Sequence, residues 1–278
     1  MRETTITILI DNNAGSSSLK HEHGLSMFLT THDGALFFDT GQSGGFMDNA
    51  RAMNIPVESA SCAVMSHGHY DHTGGLDTLF DTVPDITVHA HPGIFTTRYT
   101  PGAEGNPPRS IGIPYSEDHI RQRSGSLLAT AEITPVLPGS YMTGEIPRLN
   151  DFEDTGGAFF LDRELTIPDL LADDQSLVIE TDNGLILLLG CCHAGLINTM
   201  SYVSNVFGTR RFSLIAGGMH LLNADDNRLK KTISSLRSFT VGRIAPGHCT
   251  GDKAIAALNS AFPGDVIPLT SGWTWTIA

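Results

Sequence analysis

Three histidines and one aspartate lie within the six positions 67–72 of the stretch SHGHYDHTGGL. They are His67, His69, Asp71 and His72, in a chain that has 12 histidines among 278 residues. Imidazole and carboxylate groups are costly to bury without partners, and both ligate zinc, iron, manganese and nickel. His67 and His69 would point the same way on an extended segment, and the Asp71-His72 pair could reach a second point nearby. The pattern therefore predicts ligands for two metal sites.

Further candidate ligands lie where apolar runs end and helices are expected to begin. The stretch LLLGCCHAG places His193 at such a junction, and RIAPGHCTG places His248 at another. The stretch LIAGGMHL does the same for His220, for which a ligand role and an unrelated role are both open. Histidine at such junctions is suited to metal binding or proton transfer.

The remaining histidines of interest have weaker patterns. His21 and His23, in KHEHGLS, could reach the site. The preferred interpretation is that they contact a ligating residue or lie on the surface. His89 and His91 lie on an expected strand before a proline and are interpreted as part of the core or of a wall.

Asp39, in FFDTGQSG, ends a strand that is expected to lie beside the strand leading to the histidine cluster. A buried carboxylate there could orient a ligating histidine through its other ring nitrogen. A simple role in a turn is the alternative.

The sequence predicts two successive groups of elements that would position these residues, and in each group the strands precede the helices. Strands are expected at 4–11, 24–31, 35–40, 62–66, 86–91, 176–189 (as a hairpin), 212–217 and 243–246, and helices at 43–54, 194–207, 225–239 and 251–262. This order favours two sheets packed face to face with helices outside. Residues 93–157 are rich in proline and glycine and are interpreted as an irregular insertion over the site, either a lid or a substrate wall.

Composition excludes several classes of protein. The chain has 40% hydrophobic residues, so a substantial core is expected, and its net charge of −13 argues against a general nucleic-acid binder. The longest apolar run is too short to cross a membrane, and the N-terminal stretch does not resemble a signal peptide. Four cysteines, two of them adjacent, in a chain of this size favour a reducing cytoplasm.

Beyond these patterns, SHGHYDHTGGL resembles the signature of the metallo-β-lactamase superfamily of two-metal hydrolases. The stretches LIDN, EHGLS, FDTGQSG, GEIPR, DDQSL, GCCHAG, GGMHL and PGHCTG follow in the order of the subgroup labelled 7,8-dihydropterin-6-methyl-4-(β-D-ribofuranosyl)aminobenzene-5'-phosphate synthase. The resemblance implies an α/β (α+β) protein, a four-layer αββα sandwich with two mixed sheets, as a single domain over 1–278.

The resemblance also implies a distribution of ligands. One metal would be held by His67, His69 and His193, and the second by Asp71, His72 and His248; Asp39 matches an early structural aspartate. Most relatives carry an aspartate that bridges the metals after the strand that here ends LIAGGMHL, where this chain has none. His220 could take its place, or water alone could bridge. Cys192 stands where relatives often carry serine; it could be a soft metal ligand, but it is interpreted as an oxidation-sensitive bystander.

The expected function is that of a dinuclear metallohydrolase. Two divalent ions, with zinc the first choice and manganese, iron or nickel as alternatives, would activate a bridging hydroxide to attack a phosphoester or related ester. Asp71 would accept a proton or fix the water, and His220, if not a ligand, would stabilise the oxyanion. Arg148 or Arg98 could pair with a phosphate of the substrate, although the preferred interpretation is that of an exposed surface arginine.

Two other functions remain open from the sequence. One is the pterin–ribofuranosylaminobenzene phosphate synthase reaction of the subgroup, and the other is a non-catalytic metal or oxygen sensor. The expected partner is a small, phosphorylated molecule. No stable nucleic-acid complex and no membrane contact are expected, whereas a homo-oligomer is possible.

Overall fold

The computed structural model describes residues 3–277. In chain order, the strands of this range are β1 (Thr4–Ile10), β2 (Ser26–Thr31), β3 (Gly34–Phe38), β4 (Ala60–Val64), β5 (Thr87–Ala90), β6 (Tyr99–Thr100), β7 (Arg109–Ser110), β8 (Ser126–Ala129), β9 (Thr134–Leu137), β10 (Ser140–Met142), β11 (Ser176–Thr181), β12 (Gly184–Leu189), β13 (Arg211–Gly218), β14 (Thr240–Val241), β15 (Ile244–Gly247) and β16 (Thr274–Ile277). The α-helices are α1 (Gly45–Ala52), α2 (Tyr70–Thr73), α3 (Leu76–Thr82), α4 (Glu117–Arg123), α5 (Leu196–Phe207), α6 (Asp226–Leu236) and α7 (Asp252–Ala261). The described range has no helix with the length and apolar character that a bilayer crossing requires.

Most of the strands form two mixed sheets. The first has the order β16-β1-β2-β3-β4-β5-β8, and the second has the order β14-β13-β12-β11-β10-β9, with β15 continuing along the edge of β13 after β14. The C-terminal strand β16 pairs with β1 and forms an edge of the first sheet. A two-stranded hairpin, β6-β7, lies apart from both sheets.

The central strands of the two sheets follow the same plan. In the first sheet, β2 and β3 form an antiparallel hairpin and β3 runs parallel to β4; β11, β12 and β13 repeat this arrangement in the second. Because parallel strands end at the same edge of a sheet, the segments that follow them lie close together. These segments carry the candidate site residues Asp39 (after β3), His67 (after β4), His193 (after β12), His220 (after β13) and His248 (after β15).

The core consists of three apolar layers, which confirms the predicted αββα sandwich. The middle layer lies between the sheets, where Leu36 and Phe38 of β3 meet Ile186 and Leu188 of β12. The two outer layers pack the other face of each sheet against α1, α3 and α4 or against α5, α6 and α7. Successive residues of a strand point to opposite faces, so continuous apolar runs such as GLILLL supply two layers at once.

Residues 93–157 are less irregular than the sequence predicted. Helix α4 and strand β8 join the first sheet layer, and β9 and β10 extend the second sheet. Proline and glycine are concentrated outside these elements, and the long irregular stretches are those before α4 and after β10. The composition of the segment concealed the short strands because each has only two to four residues.

The layer between the sheets yields a test of stability. Leu188 is fully buried between the sheets, whereas Leu128 on strand β8 is 48% exposed. We expect Leu188→Ala to lower the free energy of unfolding by about 2–5 kcal/mol, because it removes buried methyl groups and leaves a cavity. Urea denaturation measures the change, and Leu128→Ala is the control, expected to cost under about 1 kcal/mol. Equal losses in the two variants would contradict the assignment of the middle layer.

Candidate metal centre

The first set of candidate ligands is His67, His69 and His193, all of them buried. His67 and His69 lie in the loop between β4 and α2, and His193 lies in the loop between β12 and α5. His67 Nε2 lies 2.9 Å from His69 Nδ1, and one ring nitrogen from each of the three residues lies within 4.8 Å of the others. The structure therefore brings together the three histidines that the resemblance assigned to one metal.

In two of the three rings, a hydrogen bond at Nδ1 fixes the direction in which the Nε2 atom points. His67 Nδ1 donates to the hydroxyl of Ser66 at 2.9 Å, and His193 Nδ1 donates to the carbonyl of Thr155 at 2.8 Å. Within residues 3–277, His193 Nε2 is buried and has no hydrogen-bonding partner. A buried nitrogen that has a lone pair and no donor to accept from fits a metal ion.

The ionisation of this set also suits metal binding. Burial lowers the pKa of His69 to about 3 and lowers the pKa of His67 and His193 well below the usual value. The three rings are therefore neutral at pH 7, which is the form that ligates metals.

The second set consists of Asp71, His72 and His248. His72 Nε2 lies 3.2 Å from His248 Nε2, and Asp71 Oδ2 lies 3.3 Å from His248 Nε2 and 3.8 Å from His72 Nε2. His248 Nδ1 donates to Asn12 Oδ1 at 2.9 Å, so its Nε2 atom faces the cluster. These three donors converge beside the first set, because the His67 and His72 ring centroids are 4.3 Å apart.

His23 extends this second set towards solvent. Its Nε2 atom lies 3.1 Å from Asp71 Oδ2, and its side chain is 53% exposed. One ring nitrogen of His23 could share a metal with Asp71 and His248. Of the two histidines in KHEHGLS, His23 reaches the site and His21 is exposed.

Asp39 contacts His72 of the second set directly and is linked to His67 of the first set through Ser66. Its carboxylate accepts hydrogen bonds from the amide and hydroxyl of Ser66, each at 2.7 Å, and from His72 Nδ1 at 2.6 Å. Burial alone would lower the pKa of His72, but the Asp39 and Asp71 carboxylates outweigh it and raise that pKa to about 9. Asp39 has a φ of 60°, a costly conformation for a residue other than glycine, and the three hydrogen bonds maintain it.

The stretch DDQSL holds the two ligand loops against each other, a role that the sequence did not reveal. Asp173 Oδ2 accepts from the amide of Gly68, and Asp174 Oδ2 accepts from the amide of Ala194, both at 2.8 Å. Gln175 Nε2 donates to the carbonyl of Met65 at 2.9 Å. The signal available in the sequence was a pair of adjacent acids directly before a strand, because acids that become buried require hydrogen-bonding partners.

Arg98, one of the two arginines considered as partners of a substrate phosphate, is buried inside the protein. Its side chain is 2% exposed, and it pairs with Asp169 at 2.7 Å and with Asp173 at 2.6 Å. Its charge is therefore neutralised inside the protein, beneath the loop that carries His67 and His69. Sequence alone could not show this, because both acids lie about 70 residues away.

Arg148 is engaged with the backbone. Its guanidinium donates to the carbonyl of His193 at 2.8 Å and to that of Leu170 at 2.6 Å. Nearby, the buried carboxylate of Glu153 accepts from the amides of Ile197 and Asn198 at the start of α5. The segment after β10 therefore holds the loop that carries His193. We infer that Arg148 positions the candidate ligand His193 and does not bind the substrate.

A cleft of about 120 Å³ opens onto the two ligand sets. Its lining includes His69, Asp71, His220 and His248, together with Cys191, Cys249, Phe159, Thr100, Ile111, His23, Tyr70 and Arg109. Phe159 covers the first set, with its ring centroid 5.3 Å from that of His69 and 5.1 Å from that of His193. The His220 ring is tilted against that of His193, with ring centroids 4.2 Å apart, and His220 has a φ of 43°.

The other candidate residues lie away from the cleft. Cys192 Sγ lies 3.5 Å from Thr199 Oγ1 within the α5 layer, where burial raises the pKa of its thiol. His89 and His91 are buried, and within residues 3–277 neither belongs to a group of side chains able to share a metal; His91 Nδ1 accepts from the amide of Gly93.

Comparison with known proteins decides the family. The sequence model of the metallo-beta-lactamase superfamily matches residues 21–248. The chain belongs to the metallo-beta-lactamase superfamily. This is a superfamily of enzymes that typically bind divalent metals, and the two converging donor sets of the chain fit such ions.

Individual relatives of this superfamily cover nearly the whole chain. A 7,8-dihydropterin-6-methyl-4-(beta-D-ribofuranosyl)-aminobenzene-5'-phosphate synthase from Methanocaldococcus jannaschii is 29% identical, with 96% of this chain and 94% of the relative covered. The crystal structure of Tm1679, a metal-dependent hydrolase of the beta-lactamase superfamily, has a TM-score of 0.84 at 26% identity and covers 99% of both chains. Zinc-bound PqqB from Methylobacterium extorquens, with a TM-score of 0.61 at 14% identity and coverage of 98% of this chain and 99% of its own, shares the fold.

The position of Asp39 leads to a prediction about metal affinity. In Asp39→Asn an amide group would face the Ser66 and His72 donors with one acceptor oxygen in place of two. We expect metal affinity to fall about 10- to 100-fold, as it does when a hydrogen-bonded partner of a ligand is lost. Competition with a chelator, followed by elemental mass spectrometry, measures the change.

The matched control is Asp182→Asn, which alters an exposed aspartate in the turn between β11 and β12. Its metal affinity should equal that of the original protein. Unchanged affinity in a folded Asp39→Asn protein would show that Asp39 does not support the ligands.

Proposed function

We propose that the chain is a dinuclear metal-dependent hydrolase that cleaves a phosphoester in a small molecule. The observation that carries this proposal is the convergence of two buried donor sets at one cleft. The set of His67, His69 and His193 contains only neutral rings, and the second set adds the carboxylate of Asp71. The likeness to Tm1679, a metal-dependent hydrolase, supports a hydrolytic role.

Zinc is the first candidate for both sites. Imidazole nitrogen and carboxylate oxygen suit zinc, and they also accept manganese, iron and nickel. When bound, two such ions would supply a water of lowered pKa and positive charge that stabilises the transition state.

The residues around the ions would handle protons and charge. Asp71 would orient the attacking water, and His23, which contacts Asp71 and reaches solvent, would carry the proton between the cleft and the medium. His220, in the lining of the cleft, would donate a hydrogen bond to the oxyanion or ligate a metal. Phe159 would limit access of other water to the first set.

The shape and charge of the cleft favour a phosphoryl group as the part of the substrate that enters. A volume of about 120 Å³ is below the usual size of a pocket that encloses a whole organic ligand, so most of the substrate would stay outside. Arg109 is the residue of the described lining with a permanent positive charge, and its guanidinium lies 5.6 Å from the ring of Tyr70. Arg109 thus replaces Arg98 and Arg148 as the candidate partner of the phosphate.

A second candidate function is the synthase reaction. It is favoured by 29% identity over 96% of the chain to a protein named for a phosphorylated pterin-ribofuranosylaminobenzene product. The same cleft would then place the phosphate of one substrate beside Arg109. Formation of this product from pterin and ribofuranosylaminobenzene phosphate precursors, without hydrolysis of any phosphoester, would favour the synthase.

Loss of one donor from each set tests the hydrolase. We expect His69→Ala and His248→Ala each to lower kcat/KM on a panel of phosphomonoesters and phosphodiesters by at least about 1,000-fold, because the metals supply several kcal/mol of transition-state stabilisation. His21→Ala, which alters an exposed histidine, is the control and should keep full activity. Full activity in either ligand variant would overturn the dinuclear mechanism.

Arg109 allows a test of the substrate class. We expect Arg109→Ala to raise KM for phosphorylated substrates by about 10- to 100-fold, because a charged hydrogen bond contributes about 1.5–3 kcal/mol. Arg109→Lys should recover part of the loss, and Arg121→Ala, on the exposed side of α4, should leave KM unchanged. An unchanged KM in Arg109→Ala would exclude Arg109 as the phosphate partner.

A further inference from the structure

Two adjacent cysteines follow β12, and their sulfur atoms lie in different surroundings. Cys192 has a φ of 62°, so the chain turns sharply between Cys191 and His193. Cys192 Sγ packs in the α5 layer beside Thr199, whereas Cys191 is 2% exposed and lines the cleft. Cys191 is therefore the thiol of this pair that faces the candidate ligands.

The sulfur of Cys191 is close to donors of both sets. It lies 3.2 Å from His72 Nε2, and it lies within 4.8 Å of a ring nitrogen of His248, which also belongs to the second set. It lies within the same distance of ring nitrogens of His67 and His193 in the first set. The free Nε2 atom of His193, buried and without a partner in the described range, is an independent sign that a ligand belongs in this space.

The separation of 3.2 Å suits two donors on one ion. Zinc bonds of about 2.3 Å to sulfur and about 2.0 Å to nitrogen place the two donors roughly 3.5 Å apart at a tetrahedral ion. A thiol that merely filled space would not need to lie within 4.8 Å of ring nitrogens from five histidines.

The space next to Cys191 does not admit a carboxylate from the end of β13. A Cβ atom on Gly218 would lie 2.7 Å from Cys249 Sγ and 2.5 Å from the carbonyl oxygen of Gly190. Among the groups of described side chains able to share a metal, Asp71 supplies the carboxylate, and it lies with His23 and His248. The region between the two ligand sets therefore contains the sulfur of Cys191, in a position where a dinuclear metal centre would otherwise need a carboxylate oxygen as its anionic ligand.

We propose that Cys191 is a thiolate ligand shared by both metal sites, in the place of a bridging carboxylate. This inference rests on the dinuclear centre of the proposed function and defines its ligands further. Metal binding displaces the thiol proton to solvent, and no oxidation or reduction takes place. One thiolate and one carboxylate would then partly balance the four positive charges of two divalent ions.

A shared thiolate also bears on metal preference. Sulfur is a soft ligand that favours zinc and iron over manganese and magnesium, which prefer oxygen. The centre would therefore select zinc or iron from a mixture of divalent ions, and replacement of the sulfur by oxygen would weaken this selection.

Cobalt substitution tests the proposal directly. Chelator-treated protein is loaded with Co²⁺, and the thiolate-to-cobalt charge-transfer absorption in the near ultraviolet is recorded together with the bound cobalt. We expect the band in the original protein and in the control Cys192→Ser, and its loss in Cys191→Ser. Cobalt affinity in Cys191→Ser should fall by more than the roughly 10- to 100-fold effect of losing an outer hydrogen bond. A band that persists in folded Cys191→Ser would overturn the proposal.

X-ray absorption on the zinc-loaded original protein gives a second test that needs no variant. A shared thiolate predicts about one sulfur neighbour per zinc ion at about 2.3 Å. Half a sulfur per ion would place the thiolate on one site alone, and no sulfur would exclude it as a ligand; either result overturns the proposal. Two zinc ions without sulfur would leave the dinuclear hydrolase intact, whereas a single ion per chain would contradict the proposed function itself.

Discussion

The carboxylate of Asp39 accepts hydrogen bonds from His72 and from both polar groups of Ser66 in a fully buried space, and the Ser66 hydroxyl in turn accepts from His67. One residue thereby orients a ring in each of the two ligand sets. A buried carboxylate without these donors would be strongly unfavourable, so the contacts stabilise the acid as well as the rings. Because β3 and β4 are parallel neighbours, Asp39 and Ser66 emerge at the same edge of the sheet, and the fold itself places this contact.

Hydrogen bonds from buried side chains to neighbouring loops also connect the two halves of the sandwich. His67, His69 and His72 follow a strand of the first sheet, whereas His193 and His248 follow strands of the second, and in the described part of the chain no strand pairing connects these loops. Side chains of Asp173, Asp174 and Gln175 connect the β4 and β12 loops through backbone groups. Asp11 and Asn12, from the end of β1, hold His248 by its amide and its ring. The donors are therefore positioned before a metal arrives, which favours tight binding.

The sequence predicted the fold class and the residues of the central cluster because both depend on local patterns. Apolar runs bounded by turn residues indicated most strands, and the spacing of His67, His69, Asp71 and His72 indicated metal binding without knowledge of distant contacts. His193 and His248 were found for the same reason, as polar residues at the ends of buried strands. These features need only a few neighbouring residues to be recognised.

Other features depend on contacts between distant parts of the chain. Arg98 looked available to a substrate because its partners Asp169 and Asp173 lie five strands further along the chain. The sequence pointed to Cys192 rather than Cys191, because only the backbone turn at Cys192 decides which sulfur faces the cleft. The short strands β9 and β10 were missed because pairing with the second sheet, rather than local propensity, stabilises them.

The central claim is that two donor sets hold two metal ions in one cleft. The most direct test is elemental mass spectrometry of the protein purified without added metal and without a histidine tag, combined with an accurate protein concentration. The account predicts about two divalent ions per chain, of a kind that imidazole, carboxylate and thiolate ligands share. Reproducibly one ion per chain, unchanged after soaking with zinc, would contradict it, because one of the two sets would then fail to bind.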